Sequence, residues 1–225
     1  MISKMPDLYK ELRFISNPQD LSEEAIKELL PVLEEECRQR KHRRIQYLLT
    51  RSGIKRIKLL EDFDWKVNPK LSKNTFMEFA KSRWSQQSKN LVLVGPAGVG
   101  KTHLASSLCY QGIQNGESTV FTTCFDLIEK LKRARNRHSL IQHYSTVRVL
   151  CIDELGYVFP SPEEANEIFQ IISKRSEIVS TIVTTNLIPS QWSKIFDPAT
   201  ATAILDRLNL NGTFLTMSGI SYRAR

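Results

Sequence analysis

Up to about residue 60 the apolar positions follow a helical pattern. Beyond Lys89, short apolar runs alternate with helical stretches. The runs Leu91–Val94, Thr119–Thr123, Arg148–Asp153, Thr181–Thr185 and Thr213–Met217 read as strands. Between and after them, helices are expected at about Lys101–Asn115, Phe125–Arg135, Pro162–Arg175, Ser190–Phe196 and Thr200–Leu208. Such alternation predicts an α/β fold with a mainly parallel sheet covered by helices on both faces. Ser161, Pro162 and Glu164 form a capping box with proline at the first helical position, which fixes one helix start.

The amino-terminal stretch is helical and distinct. Asp20 with Glu23 suits the start of a helix running through Leu30. Pro31 is expected to break or restart it, because proline lacks the N–H an interior turn needs. A second helical pattern runs from Val32 to about Arg51, and Ser52-Gly53 ends it. Glu61–Asn68 is a short connector containing Phe63 and Trp65. Residues 1–60 are therefore expected to form a small all-helical domain, and residues 61–225 the α/β domain.

Composition changes this picture in one place. The chain has 225 residues, 41% hydrophobic and 25% charged, which is ordinary for a globular protein. Its net charge of +8 is concentrated. Arg38, Arg40, Lys41, Arg43, Arg44, Arg51, Lys55, Arg56 and Lys58 follow one another without an intervening Asp or Glu, and outside that stretch the charges nearly balance. Neutralising nucleic-acid phosphates with counterion release is the natural use of such a run. A solvated helix face, or a site for an acidic protein, would carry the same charges. A second cluster, Lys130, Lys132, Arg133, Arg135 and Arg137, follows the second strand. Neither stretch has a base-reading motif, so phosphate and shape contacts to double-stranded DNA are expected.

Four cysteines, Cys37, Cys109, Cys124 and Cys151, lack C-x-x-C spacing and are expected to be free thiols in a reducing compartment. No apolar run approaches the ~20 residues that cross a bilayer, and the first residues lack a signal-peptide core. A cytoplasmic protein without membrane contact is expected.

The chemistry centres on Asn90–Ala105, NLVLVGPAGVGKTHLA. Gly95, Gly100, Lys101 and Thr102 fit G-x-x-x-x-G-K-[ST], and Gly95, Pro96, Ala97, Gly98, Val99, Gly100, Lys101, Thr102 and His103 would wrap a nucleotide. Glycines admit left-handed turns and close approach to an anion, and the helix that follows adds its positive end. Lys101 would reach the β- and γ-phosphates of ATP, and the Thr102 hydroxyl would ligate Mg²⁺. A chance glycine turn is the competing reading. The apolar strand before the loop and the helical pattern after it argue against that.

The apolar strand VRVLCIDELGY ends in Asp153 and Glu154. Beside a phosphate loop, Asp153 is placed to hold Mg²⁺ and Glu154 to polarise the attacking water. The strand TIVTTN ends in Asn186, which would orient that water or touch the γ-phosphate, or simply terminate a strand. Arg207 and Arg223 are candidates to neutralise γ-phosphate charge. Arg207 could equally form a surface ion pair with Asp206, and spacing does not decide between the two arginines.

GPAGVGKTH, LCIDELGY, the TTN strand, the helix PEEANEIFQIISKR and the ending ILDRL…GISYR together resemble the IstB/DnaC family of AAA+ ATPases. Its members are helpers of IS21-type transposition and bacterial helicase loaders. The resemblance covers about Leu59–Arg225 and, more loosely, the helical basic region. It leans to the transposition helper, although the typical G-E-S-Y-R is Gly219-Ile220-Ser221-Tyr222-Arg223 here. It implies a five-stranded AAA+ core with no full carboxy-terminal helical lid, ATP and Mg²⁺ as cofactors, and Walker A and B at Gly95–Thr102 and Asp153–Glu154. It also implies Asn186 as sensor 1, Arg207 as an arginine finger reaching the adjacent subunit, and Arg223 as a sensor 2 arginine. A homo-oligomeric ring or spiral with ATP between subunits follows, acting with a transposase, or alternatively with a replicative helicase. A scaffold that binds ATP with negligible turnover is the non-enzymatic alternative.

Overall fold

The computed structural model describes residues 5–15, 21–68, 71–81 and 87–219. They fall into two compact units, Met1–Tyr47 and Leu48–Arg225.

In the first unit, α1 (Met5–Leu12) and the first half of α2 (Glu23–Arg51) share a small core. Met5, Tyr9, Leu12, Ile26, Leu30, Leu33 and Cys37 are its buried residues. Asp20, expected to help cap α2, lies outside the described residues. Pro31 does not break the helix, which runs through it to Arg51. Pro31 is exposed, so the carbonyl of Lys27 that loses its N–H partner faces solvent and the cost of the missing bond is reduced.

The second unit contains a five-stranded sheet. Its strands are β1 (Asn90–Val94), β2 (Thr119–Thr123), β3 (Val149–Leu155), β4 (Ser180–Thr185) and β5 (Gly212–Thr216), in spatial order β2-β3-β4-β1-β5. Every pairing is parallel. Six further helices belong here: α3 (Lys73–Lys81), α4 (Lys101–Gln114), α5 (Cys124–Arg133), α6 (Arg137–Thr146), α7 (Pro162–Arg175) and α8 (Pro198–Asn209).

Alternating side chains of each strand feed two cores. Val92, Leu150, Ile152 and Val183 pack against α5, α6, α7 and α8. Leu91, Leu93, Cys151 and Ile182 pack against α3, α4 and the connector residues Leu60 and Phe63. Burial on both faces is why the strands read as unbroken apolar runs. The segment after α2 is fastened to the sheet edge: Phe121 N–H donates to Ser52 O at 2.7 Å, and Gly53 takes a left-handed φ of 78°.

Three further elements differ from the sequence reading. Ser190–Phe196 is a 3₁₀ segment, Pro189–Lys194, rather than an α-helix. Two helices were not expected. In α3, Phe76, Phe79 and Ala80 carry the packed face. In α6, the Asn136 side chain caps the start by accepting from Ser139 N–H at 2.9 Å, while Ile141 and Tyr144 are buried. All four cysteines are buried free thiols, and desolvation pushes Cys124 up to about 12. No helix among the described residues is long and apolar enough to cross a membrane.

Candidate nucleotide-binding site

The carboxyl ends of β1, β3 and β4 meet at one edge of the sheet, beside a cavity of about 410 Å³. Ala97, Gly98, Gly100, Lys101, Thr102 and His103 line one wall, with Glu154, Tyr157 and Thr184 from the neighbouring strand ends. Lys58 and the connector residues Asp62, Phe63 and Asp64 complete it. The loop after β1 turns through Gly98 and Gly100, at φ 82° and 95°, conformations that strain residues with a Cβ. It then opens α4, whose first residue is Lys101. A helix amino terminus with a glycine turn before it is an anion site by construction.

Lys101 is nearly buried, and its ammonium donates to Gly95 O at 2.6 Å and Pro96 O at 2.7 Å. The cation is thus held inside the loop that a phosphate would enter. Thr102 donates to Asp153 Oδ1 at 3.1 Å, which brings the expected hydroxyl and carboxylate ligands of Mg²⁺ side by side. A cradle that a Cβ would fill, a captive ammonium and a hydroxyl–carboxylate pair fit a nucleotide phosphate with its divalent cation.

Asp153 is buried at 3% exposure. Burial holds its carboxyl above the ordinary range. The hydroxyls of Thr184 and Thr102, the Lys101 ammonium and the backbone of Glu154 work in the opposite direction. Glu154, by contrast, is exposed on the cavity wall with a left-handed φ of 60°. Two adjacent carboxylates therefore sit in opposite environments.

The other expected site residues are spread more widely. Asn186 lies one position past β4, exposed and outside the cavity lining, with its Oδ1 beside Gly156. Arg207 lies in the last turn of α8, its guanidinium 3.3 Å from Asp206 Oδ2 and 5.6 Å from the Phe169 ring centroid. Its carbonyl accepts from Asn90 Nδ2, at the end of β1 remote from the phosphate loop. Arg223 lies outside the described residues.

Among the basic residues, Arg38 pairs with Glu35 and Arg40 with Glu36 along α2. Lys41, Arg43, Lys55 and Arg56 are exposed. Lys132 pairs with Glu164 at 2.9 Å, Arg133 with Glu129 at 2.8 Å and Arg137 with Glu167 at 3.3 Å, while Arg135 is exposed.

Sequence reasoning missed Thr184 and the role of Phe63. Thr184 is fully buried and bonded to both Asp153 and Glu154. Phe63 lies in edge contact with His103, ring centroids 5.5 Å apart. His103 Nε2 lies 2.8 Å from Leu59 O, so it carries the proton and donates, tying the connector to α4. The TTN strand and the aromatic connector were visible, but nothing in their spacing aimed them at this cavity.

A phosphate loop after β1, a carboxylate pair near the end of β3, with β4 between the two strands, and a five-stranded parallel sheet define the P-loop, AAA+-like class of nucleotide-binding cores. A family model described as IstB-like ATP binding protein matches residues 3–225, and the chain belongs to that family. The IS232 insertion-sequence protein of Bacillus thuringiensis subsp. berliner, named for ATP binding, is 41% identical over 172 residues. That alignment covers 75% of this chain and 69% of the relative. The corresponding IS21 protein of Pseudomonas aeruginosa is 35% identical over 201 residues, covering 88% and 76%. The crystal structure of DnaI shares the fold, with a TM-score of 0.61 at 21% identity, covering 73% of this chain and 89% of that one.

Proposed function

We propose that this chain is a Mg²⁺-dependent ATPase that helps DNA transposition. It assembles on double-stranded DNA with ATP between subunits and regulates its transposase through hydrolysis. The observation that carries the reading is the convergence of Lys101, Thr102 and Glu154 on one cavity, with Asp153 bonded to Thr102 at its wall. Mg²⁺-ATP would supply an electrophilic γ-phosphorus there. Lys101 and the loop N–H groups bind and orient the phosphates. Thr102 and Asp153 hold the metal. The exposed Glu154 carboxylate accepts the proton of the attacking water. Asn186 orients that water, and Arg223 adds positive charge within the same subunit.

Arg207 acts on the neighbour's nucleotide. Its attachment near the start of β1 keeps it from the phosphate loop of its own subunit, which favours a role in trans. The exposed cations of residues 38–58, with Arg135, bind DNA phosphates. Kinship with insertion-sequence proteins favours a transposase over a replicative helicase as partner.

The test is ATP turnover and nucleotide binding, with and without DNA. Lys101→Ala is expected to lose ATP binding, and Glu154→Gln to keep binding while losing at least a hundredfold in turnover. Normal turnover by Glu154→Gln refutes the assignment of the base. Capture of a replicative helicase instead of the transposase from the same element would replace the partner.

A further inference from the structure

We propose that Thr184 is a positioning residue whose hydroxyl sets the geometry of the Asp153–Glu154 pair. Its catalytic consequence rests on the ATPase reading above, whereas its geometric content does not.

The register of β3 and β4 carries the argument. Ile152 pairs with Val183, but the next pairing is Leu155 with Thr185. Two residues of β3, Asp153 and Glu154, therefore stand opposite the single residue Thr184. This is a β-bulge, a device that re-aims side chains and leaves one residue out of the ladder. Glu154 takes the strained conformation, with φ 60°. A left-handed non-glycine residue is strained and persists only where its surroundings hold it.

The Thr184 hydroxyl provides that hold. It accepts the Glu154 N–H at 3.0 Å, the donor displaced from the ladder, and it donates its one hydrogen to Asp153 Oδ1. Asp153 Oδ1 also receives Thr102 from the phosphate loop. One fully buried hydroxyl thus fixes a carboxylate on one side and the backbone bearing the next carboxylate on the other. The neighbouring threonines of β4 serve other ends: Thr181 accepts from Arg175, and Thr185 accepts from Leu187 N–H in the turn. Valine would fill the space of Thr184 but supply neither bond.

The experiment compares the full-length wild type with Thr184→Val and Thr184→Ser. Thr184→Ala supplies the hydroxyl-free arm if the valine variant does not fold. Amide exchange of Glu154 in the nucleotide-free protein is expected to accelerate at least tenfold without the hydroxyl, and to stay within threefold of wild type with serine. In turnover, loss of the hydroxyl is expected to lower kcat at least tenfold while KM for ATP changes less than threefold, and serine restores at least a third of kcat. Unchanged protection of Glu154 in the hydroxyl-free variant overturns the proposal. So does wild-type kcat in a variant that has lost protection, or a serine variant as slow as valine. A wild type that hydrolyses no ATP refutes the ATPase reading instead, and the exchange result alone then decides the role of Thr184.

Discussion

The ring of Phe63 lies over the bare Cα of Gly100, so that a Cβ built there would stand 2.6 Å from Phe63 Cε2. The same glycine has a φ of 95°. Connector and phosphate loop are therefore matched by the absence of a side chain. Gly100→Ala is expected to cost about 1–3 kcal/mol through its backbone conformation, with a steric share in addition. Thermal unfolding should show a melting point lower by several degrees, and binding of a fluorescent ATP analogue should weaken more than tenfold. Adding Phe63→Leu should return only the steric share, because the backbone strain stays.

Asp153 predicts a conflict between stability and function. Burial raises its carboxyl above its unfolded value, so the ionised form disfavours the folded state. The penalty is complete above the folded pKa and vanishes below the unfolded value of about 3.9. Asparagine retains an oxygen to accept from Thr102 and Thr184 without the charge. Asp153→Asn is therefore expected to melt above wild type at pH 7, with the gap closing as pH falls toward 4, while Mg²⁺-dependent nucleotide binding drops at least tenfold. Melting curves across pH 4–8 give the comparison.

Arg175 supports the opposite end of the sheet. It is fully buried and donates to Thr181 Oγ1, Tyr144 O, Val147 O and Ser180 O. Desolvation lowers its guanidinium to about 9, which leaves it charged at neutral pH. Arg175→Met would take the guanidinium donors from three buried carbonyls, at a cost of about 3–5 kcal/mol. Denaturant unfolding should register that loss. Nucleotide affinity of the folded protein should stay within twofold, since the cavity lies at the other end of β4.

The two basic clusters are expected to differ. Lys55 and Arg56 are exposed beside the sheet edge, whereas Lys132 and Arg133 are already engaged by Glu164 and Glu129. Each phosphate contact contributes about 0.9 to the salt slope of binding. Lys55→Ser with Arg56→Ser should lower the slope by about 2 and weaken DNA binding at every sequence tested. The corresponding pair at 132 and 133 should lower it by less than 1. Fluorescence anisotropy over a potassium chloride series distinguishes them.

Much of this molecule was legible without coordinates. The five strands follow from apolar runs that both faces of a parallel sheet demand, and the phosphate loop and the Asp153–Glu154 pair follow from residue types that phosphate chemistry requires at fixed local spacing. Tertiary structure decided what local pattern does not encode. Helix α6 rests on the Asn136 cap and on burial of Ile141 and Tyr144 against distant residues, and α2 continues through Pro31 because that position is exposed. The bulge opposite Thr184 depends on the register between two strands that lie thirty residues apart in the chain. Periodicity fixes which face of a strand is buried. Only the paired strands fix which hydroxyl meets which carboxylate.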